Sequence, residues 1–159
     1  MRILALDQAL VTTGWAVIED GKLVDHGTFS TNTSHSLGDR LKYIWEKVDF
    51  LFHNYNADYI AFEDIQNQHN NDTFKRLAYV QATICLWCAW NSRDYSILAP
   101  SHWRKVLGGG FGRKRQEQKE AAIKYVKDNC GESVSSDEAD AICIGLAYYK
   151  ESQKNKSAF

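Results

Sequence analysis

Two short apolar runs in this chain each close on a carboxylate. Arg2-Ile-Leu-Ala-Leu-Asp7 is the first and Asp58-Tyr-Ile-Ala-Phe-Glu63 the second. Runs of this length with little polar alternation read as strands buried on both faces, which places them in a sheet layered between helices. An acid at the end of such a strand sits at the rim of the sheet, where a solvated surface acid has little reason to be. A third acidic feature lies near the C-terminus: Asp137 and Asp140 are three apart, so they share one face of a helix. Two acidic rims and an acidic helix face make a pocket that needs cations to neutralise it. Ligation by oxygen alone suits Mg²⁺ or Mn²⁺, so metal-assisted phosphate chemistry is expected.

The remaining punctuation fills in the order of elements. Residues 13–19 read as a second strand, Asp20-Gly21 is a strong hairpin signal, and residues 22–29 return as a third strand. A Ser/Thr/Asn stretch then leads into a helix. Ser36 with Asp39 resembles a capping box, and Leu37, Leu41, Ile44, Trp45, Val48, Leu51, Phe52 and Tyr55 recur at helical spacing. After the strand ending at Glu63 comes a polar loop, 65–72, and then a long helix over 73–91. Its stripe of Phe74, Leu77, Ala78, Gln81, Ile84, Cys85 and Cys88 is expected to face the sheet. The opposite side carries Tyr79, Leu86, Trp87 and Trp90, and a helix apolar on two sides is covered on two sides. A second subunit is the expected cover.

Residues 95–99 form the fifth strand, stopped by Pro100. A short helix at 101–107 precedes the loop Gly108-Gly109-Gly110-Phe111-Gly112, and a basic helix follows at 114–129. The last helix starts at Ser135 or Ser136, with Glu138 at capping-box spacing from Ser135. It runs to about residue 151, leaving 152–159 as a frayed tail. The pattern βββαβαβα(α) predicts an α/β fold with a mixed five-stranded sheet: an antiparallel meander, then parallel strands, with helices on both faces. The whole of 1–159 reads as one domain.

The formal net charge of -1 conceals an asymmetry, because residues 101–128 hold eight Lys/Arg against three acids. That local excess is a candidate footprint for a polyanion. The N-terminus meets a charge too soon for a signal peptide, and no apolar run approaches the roughly 18 residues of a membrane span. A cytoplasmic protein is expected. Its four cysteines fit a reducing setting. Cys85 and Cys88 lie within an apolar helix with no second pair or histidines nearby, which argues for core residues over zinc ligands.

The residues also resemble a family. Asp7 with Gly14 after it, the Ile-Ala-Phe-Glu63 strand end, the Gly-rich loop before a basic helix, and Ser-Asp137-Glu-Ala-Asp140-Ala-Ile are similar to the RuvC family of Holliday junction resolvases. The resemblance spans residues 1 to about 150 and looks closest to small phage-encoded members. It implies an RNase H-like fold, a homodimer, and paired cuts in a four-way DNA junction, with no small-molecule cofactor and no membrane. A phage-encoded enzyme would work in the host cytoplasm. The resemblance carries a catalytic and metal-binding role onto Asp7, Glu63, Asp137 and Asp140. DNA contact falls on basic residues around the Gly loop: Arg104, Arg113, Lys114 and Lys119. The chain departs from the bacterial pattern at Ala9, where a glycine is usual, and at Gln66, where an aromatic residue stands in the loop that wedges into the junction. Weak sequence readout is expected from those departures.

Two metal ions roughly 3.5–4 Å apart can activate a water and stabilise the leaving 3′ oxygen in an in-line displacement, with Asp7 as the natural bridging ligand. His69 and His102 are candidates for assistance, though lone polar histidines are more often surface groups. Trp103 and Phe111 flank the Gly loop and are candidates for stacking on an unpaired base, with core packing the commoner use of Trp103. Three rival readings exist. Sugar kinases and actin-like ATPases open with a similar Asp-x₆-Gly but need a second half that 159 residues do not supply. A binding module with a dead RNase H fold would be free to lose one of the four acids. Another RNase H-like nuclease, acting on RNA–DNA hybrid or RNA, is separated from the resolvase by its substrate.

Overall fold

The computed structural model describes residues 1–66 and 70–156. Its sheet has five strands in the order β3-β2-β1-β4-β5. These are β1 (Arg2–Asp7), β2 (Thr12–Glu19), β3 (Lys22–Ser30), β4 (Tyr59–Glu63) and β5 (Tyr95–Leu98). The first three pair antiparallel, and β4 and β5 add parallel to β1. The mixed sheet is therefore the one the sequence predicts. The hairpin turn uses left-handed backbone at both Asp20 (φ 48°) and Gly21 (φ 79°), the geometry a two-residue Asp-Gly turn requires.

Helices cover both faces. On one side α1 (Leu37–Asn54) and α2 (Asn71–Trp90) close over Leu4, Leu6, Val17, Ile60 and Phe62. On the other, α3 (Pro100–Val106), α4 (Arg115–Cys130) and α5 (Ser136–Lys156) close over Ile3, Ala5, Ala16, Ile18 and Ala61. Strand side chains alternate between faces, so each assignment extends to the end of its strand. Asp7 continues Ile3 and Ala5, Glu63 continues Ala61, and Gly14 continues Ala16 and Ile18. All three belong to the α5 side.

The expected caps form. Ser36 Oγ accepts the amide of Asp39 at 3.1 Å. Glu138 Oε2 accepts from the Ser135 amide (2.8 Å) and hydroxyl (2.7 Å), while the Glu138 amide donates back to Ser135 Oγ at 3.3 Å. Among the described residues no helix is long and apolar enough to cross a membrane. The four cysteines are free, with Cys88 and Cys143 buried in the two cores.

Four expectations need correction. Helix α2 begins at Asn71, capped by Asn70, and its buried face is Val80, Ile84, Trp87 and Cys88. Trp87 is fully buried against Phe52, with its indole N–H donating to Asp49 at 3.1 Å, so it does not belong to the outer stripe. Phe74, expected on the sheet side, is exposed. Helix α5 also continues through Lys156, so most of the supposed frayed tail is helical.

Candidate active site

A cleft of about 520 Å³ opens at the ends of β1 and β4. Asp7, Glu63, Asp137 and Asp140 all line it, joined by Gln8, Arg104, Arg115, Gln118 and Lys119. A larger hollow of about 710 Å³ lies at the other end of β2, beside the Asp20-Gly21 turn, and contains none of the four acids.

Each acid is placed by a different local device. Asp7 and Glu63 end adjacent parallel strands, with Leu6 opposite Phe62 in register. Asp137 and Asp140 occupy the first turns of α5, fixed by the Ser135–Glu138 cap. The second carboxylate oxygen of Glu138 meets His26 Nδ1 on β3 at 2.8 Å, which ties that helix end to the sheet. Burial works against ionisation of Glu138, but the hydrogen bonds from Ser135 and His26 hold its carboxyl below the usual value. Gly14 lies opposite Asp7, and a Cβ there would fall 2.0 Å from the Asp137 carbonyl oxygen. Only a residue without a side chain lets α5 approach this closely.

The acids repel one another. Burial, and then the charges of Asp140, Glu63 and Asp137, push the Asp7 carboxyl well above its ordinary value. Asp140 is pushed up to about 7 by burial and then by Glu63, against the opposing pull of Arg104 and Lys119. Glu63 is raised by burial, relieved in part by a hydrogen bond from Trp103 and by Arg104. An all-oxygen donor set whose members resist shared ionisation fits a hard divalent cation. Gln8 adds a buried amide oxygen with no hydrogen-bond partner among the described residues. As they stand, no three of the described His, Cys, Asp or Glu residues are grouped tightly enough to hold an ion.

A folded state that holds these protons more tightly than the unfolded chain loses stability as pH rises through the gap between the two pKa values. In chelator, the melting temperature should therefore fall between pH 5 and pH 7.5. Divalent ion should restore more of it at the upper end than at the lower. Thermal melts of the wild type and Asp140→Asn check this; a wild-type melting temperature that rises across the interval, or an unchanged slope in Asp140→Asn, would contradict it.

The expected basic residues divide. Arg104 and Lys119 stand in the cleft, close enough to lower the acids' pKa values. Arg113 and Lys114 are exposed at the entry to α4, where their amides donate to Glu117 at 3.0 and 3.1 Å, and they do not line the cleft. Sequence reasoning passed over Arg115 and Gln118, which line the cleft beside Lys119. Their spacings of four and three from Arg115 put Lys119 and Gln118 on its helix face, a signal present in the sequence. His102 pairs with Glu151 at 2.9 Å and does not line the cleft, and His69 lies outside the described residues. Trp103 and Phe111 are both buried, packed edge to face with ring centroids 5.4 Å apart, so neither is free to stack on a base.

A mixed five-stranded sheet bearing four acids at the ends of its central strands and at the start of its last helix is an RNase H-like nuclease framework. Residues 3–148 match the family described as Crossover junction endodeoxyribonuclease RuvC, and the chain belongs to that family. A RuvC of Rickettsia prowazekii is 30% identical over 152 residues, covering 93% of this chain and 95% of that protein. One of Dictyoglomus thermophilum is 28% identical over 156 residues, covering 95% and 98%. In fold, the chain matches the structure of T. thermophilus RuvC in complex with Holliday junction substrate, with a TM-score of 0.82, 16% identity, and coverage of 97% and 96%. The Fowlpox virus resolvase and substrate Holliday junction DNA complex matches at 0.60, with 15% identity and coverage of 95% and 98%.

Proposed function

We propose that this chain resolves four-way DNA junctions by paired, Mg²⁺-dependent phosphodiester hydrolysis, with Asp7, Glu63, Asp137 and Asp140 holding the metal. The observation that carries this reading is the convergence of those four acids, from β1, β4 and α5, in one cleft with Arg104, Arg115 and Lys119. Divalent ions held there supply the activation of water and the stabilisation of the leaving oxygen. The chain's own part is positional and electrostatic. Arg104, Arg115 and Lys119 draw a phosphodiester toward the acids. Arg113 and Lys114 extend the basic surface along the approach to α4. Among the described residues no histidine lines the cleft. The decisive experiment compares cleavage of a synthetic four-way junction, an RNA–DNA hybrid and plain duplex in Mg²⁺, with Mn²⁺ as the substitute ion. Equal or faster cleavage of the hybrid would sink the resolvase reading.

Two symmetric cuts are most simply made by a two-fold pair of subunits. Tyr79, Leu86 and Trp90 form one outward stripe along α2 and are 46%, 59% and 78% exposed, a patch that self-association would cover. The protein should be a dimer at micromolar concentration, and Leu86→Glu with Trp90→Glu should make it monomeric while it stays folded. Sedimentation checks both; a double variant that remains dimeric would remove α2 from the interface.

A further inference from the structure

Glu63 is the one acid of the four whose side chain is gripped by a residue with no role in the site described so far. The indole N–H of Trp103, on the first turns of α3, donates to Glu63 Oε1 at 2.8 Å. We propose that Trp103 is a positioning residue: it fixes the Glu63 carboxylate in the orientation that serves the divalent ion. The inference rests on the metal-dependent reading of the site.

Packing alone does not account for a tryptophan here. Trp103 is fully buried among Ala61, Leu98, Phe111 and Ile142, a setting that Phe or Leu would fill without a buried donor to satisfy. An indole has one N–H donor and no acceptor, and leaving that N–H unpaired in a core is costly. Its single polar atom meets the Glu63 carboxylate at the core's edge. The ring cannot turn away, because Phe111 packs edge-on to it and the Arg104 guanidinium lies 4.6 Å from its centroid. The main chain at Glu63 is held separately, by the Gln8 side-chain amide donating to its carbonyl at 2.5 Å. Strand, amide and indole together settle the strand end and then the carboxylate. Asp7, by contrast, is a shorter side chain on a central strand, and Asp137 and Asp140 ride on a capped helix. A glutamate has an extra torsion to restrain, and Trp103 restrains it.

The test is Mn²⁺ binding to the free protein, measured by calorimetry or by the loss of the free-ion magnetic resonance signal. Trp103→Phe should weaken Mn²⁺ binding about tenfold, the lower end of the range for losing a residue that orients a metal ligand. Affinity for a four-way junction in Ca²⁺ should stay within about twofold, since no phosphate-binding cation is removed. Replacing the Trp103 side chain with its benzothienyl analogue, which keeps the bicyclic shape and removes only the N–H, should give the same loss if Phe disturbs folding. In a Glu63→Gln background Trp103→Phe should cost less than about twofold, because a residue acting through Glu63 has nothing left to orient. Unchanged Mn²⁺ affinity in the benzothienyl protein would overturn the proposal, as would a full tenfold loss persisting in the Glu63→Gln background. Wild-type protein with no saturable Mn²⁺ binding would overturn the metal reading and this inference with it. Wild-type binding that the Trp103 variants match would overturn the inference alone.

Discussion

Asp7→Asn should lower junction cleavage by on the order of 10³-fold or more while leaving junction binding intact. A thousandfold corresponds to about 4 kcal/mol of transition-state stabilisation, the scale expected when a central metal ligand is removed. Asp7 sits on the middle strand of five, and its carboxyl feels the charges of the other three acids. Asn keeps the size and one oxygen but removes the charge that a divalent ion balances. The cations of the cleft are untouched, and one negative charge fewer faces the DNA backbone, so affinity should hold or rise slightly. Single-turnover cleavage and an electrophoretic binding assay in Ca²⁺ separate the two quantities. Near-normal turnover by Asp7→Asn would end the assignment of these acids as the catalytic centre.

Gly14→Ala should be nearly as damaging, although it touches no ionisable group. Its Cβ would fall 2.0 Å from the Asp137 carbonyl oxygen and 2.4 Å from the carbonyl carbon. Those are main-chain atoms, so the start of α5 must move. Further along that helix the packing is also close, since a Cβ at Gly145 would meet the side chains of Ile18 at 2.6 Å and Ala5 at 2.9 Å. Overpacking of this kind costs about 1–3 kcal/mol in stability. Displacing Asp137 and Asp140 by an ångström should cost roughly 10²-fold in rate. Melting temperature and single-turnover rate are the measurements. A variant that is fully active, or that loses stability without losing rate beyond its unfolded fraction, would show that the close contact does not position the acids.

Much of the fold was legible because its signals are local. Strand runs, the Asp20-Gly21 turn, the Ser36 cap and the Ser135–Glu138 box each lie within a few residues of the element they define. The four acids were legible because strand ends and a three-residue spacing are also local. What the sequence withheld depends on distant partners or on helix phase. Apolar residues on both sides of α2 give its periodicity no single answer, so Trp87 was placed outside and Val80 was overlooked. The short, specific contact between Trp103 and Glu63 joins residues 40 apart, and the Gly14–Asp137 approach joins residues far more distant. Gly14 was noticed as part of a pattern, but only the packed helix explains why it must be small. The basic segment at 101–128 was visible as composition, whereas its division into cleft residues and outer ones needed the direction of α4.

The strand alternation that brings Asp7, Gly14 and Glu63 to one layer has an implication for how such a chain can change length. Adding or deleting one residue within β1 or β4 would send its terminal acid to the α1–α2 layer and its core residues the opposite way. A change of two would restore the layer. Length variation is therefore tolerable in the hairpin or between elements, while inside these two strands it is constrained to even steps. The sheet has a reading frame of two, and the acids of the cleft are what would be lost by a shift in it.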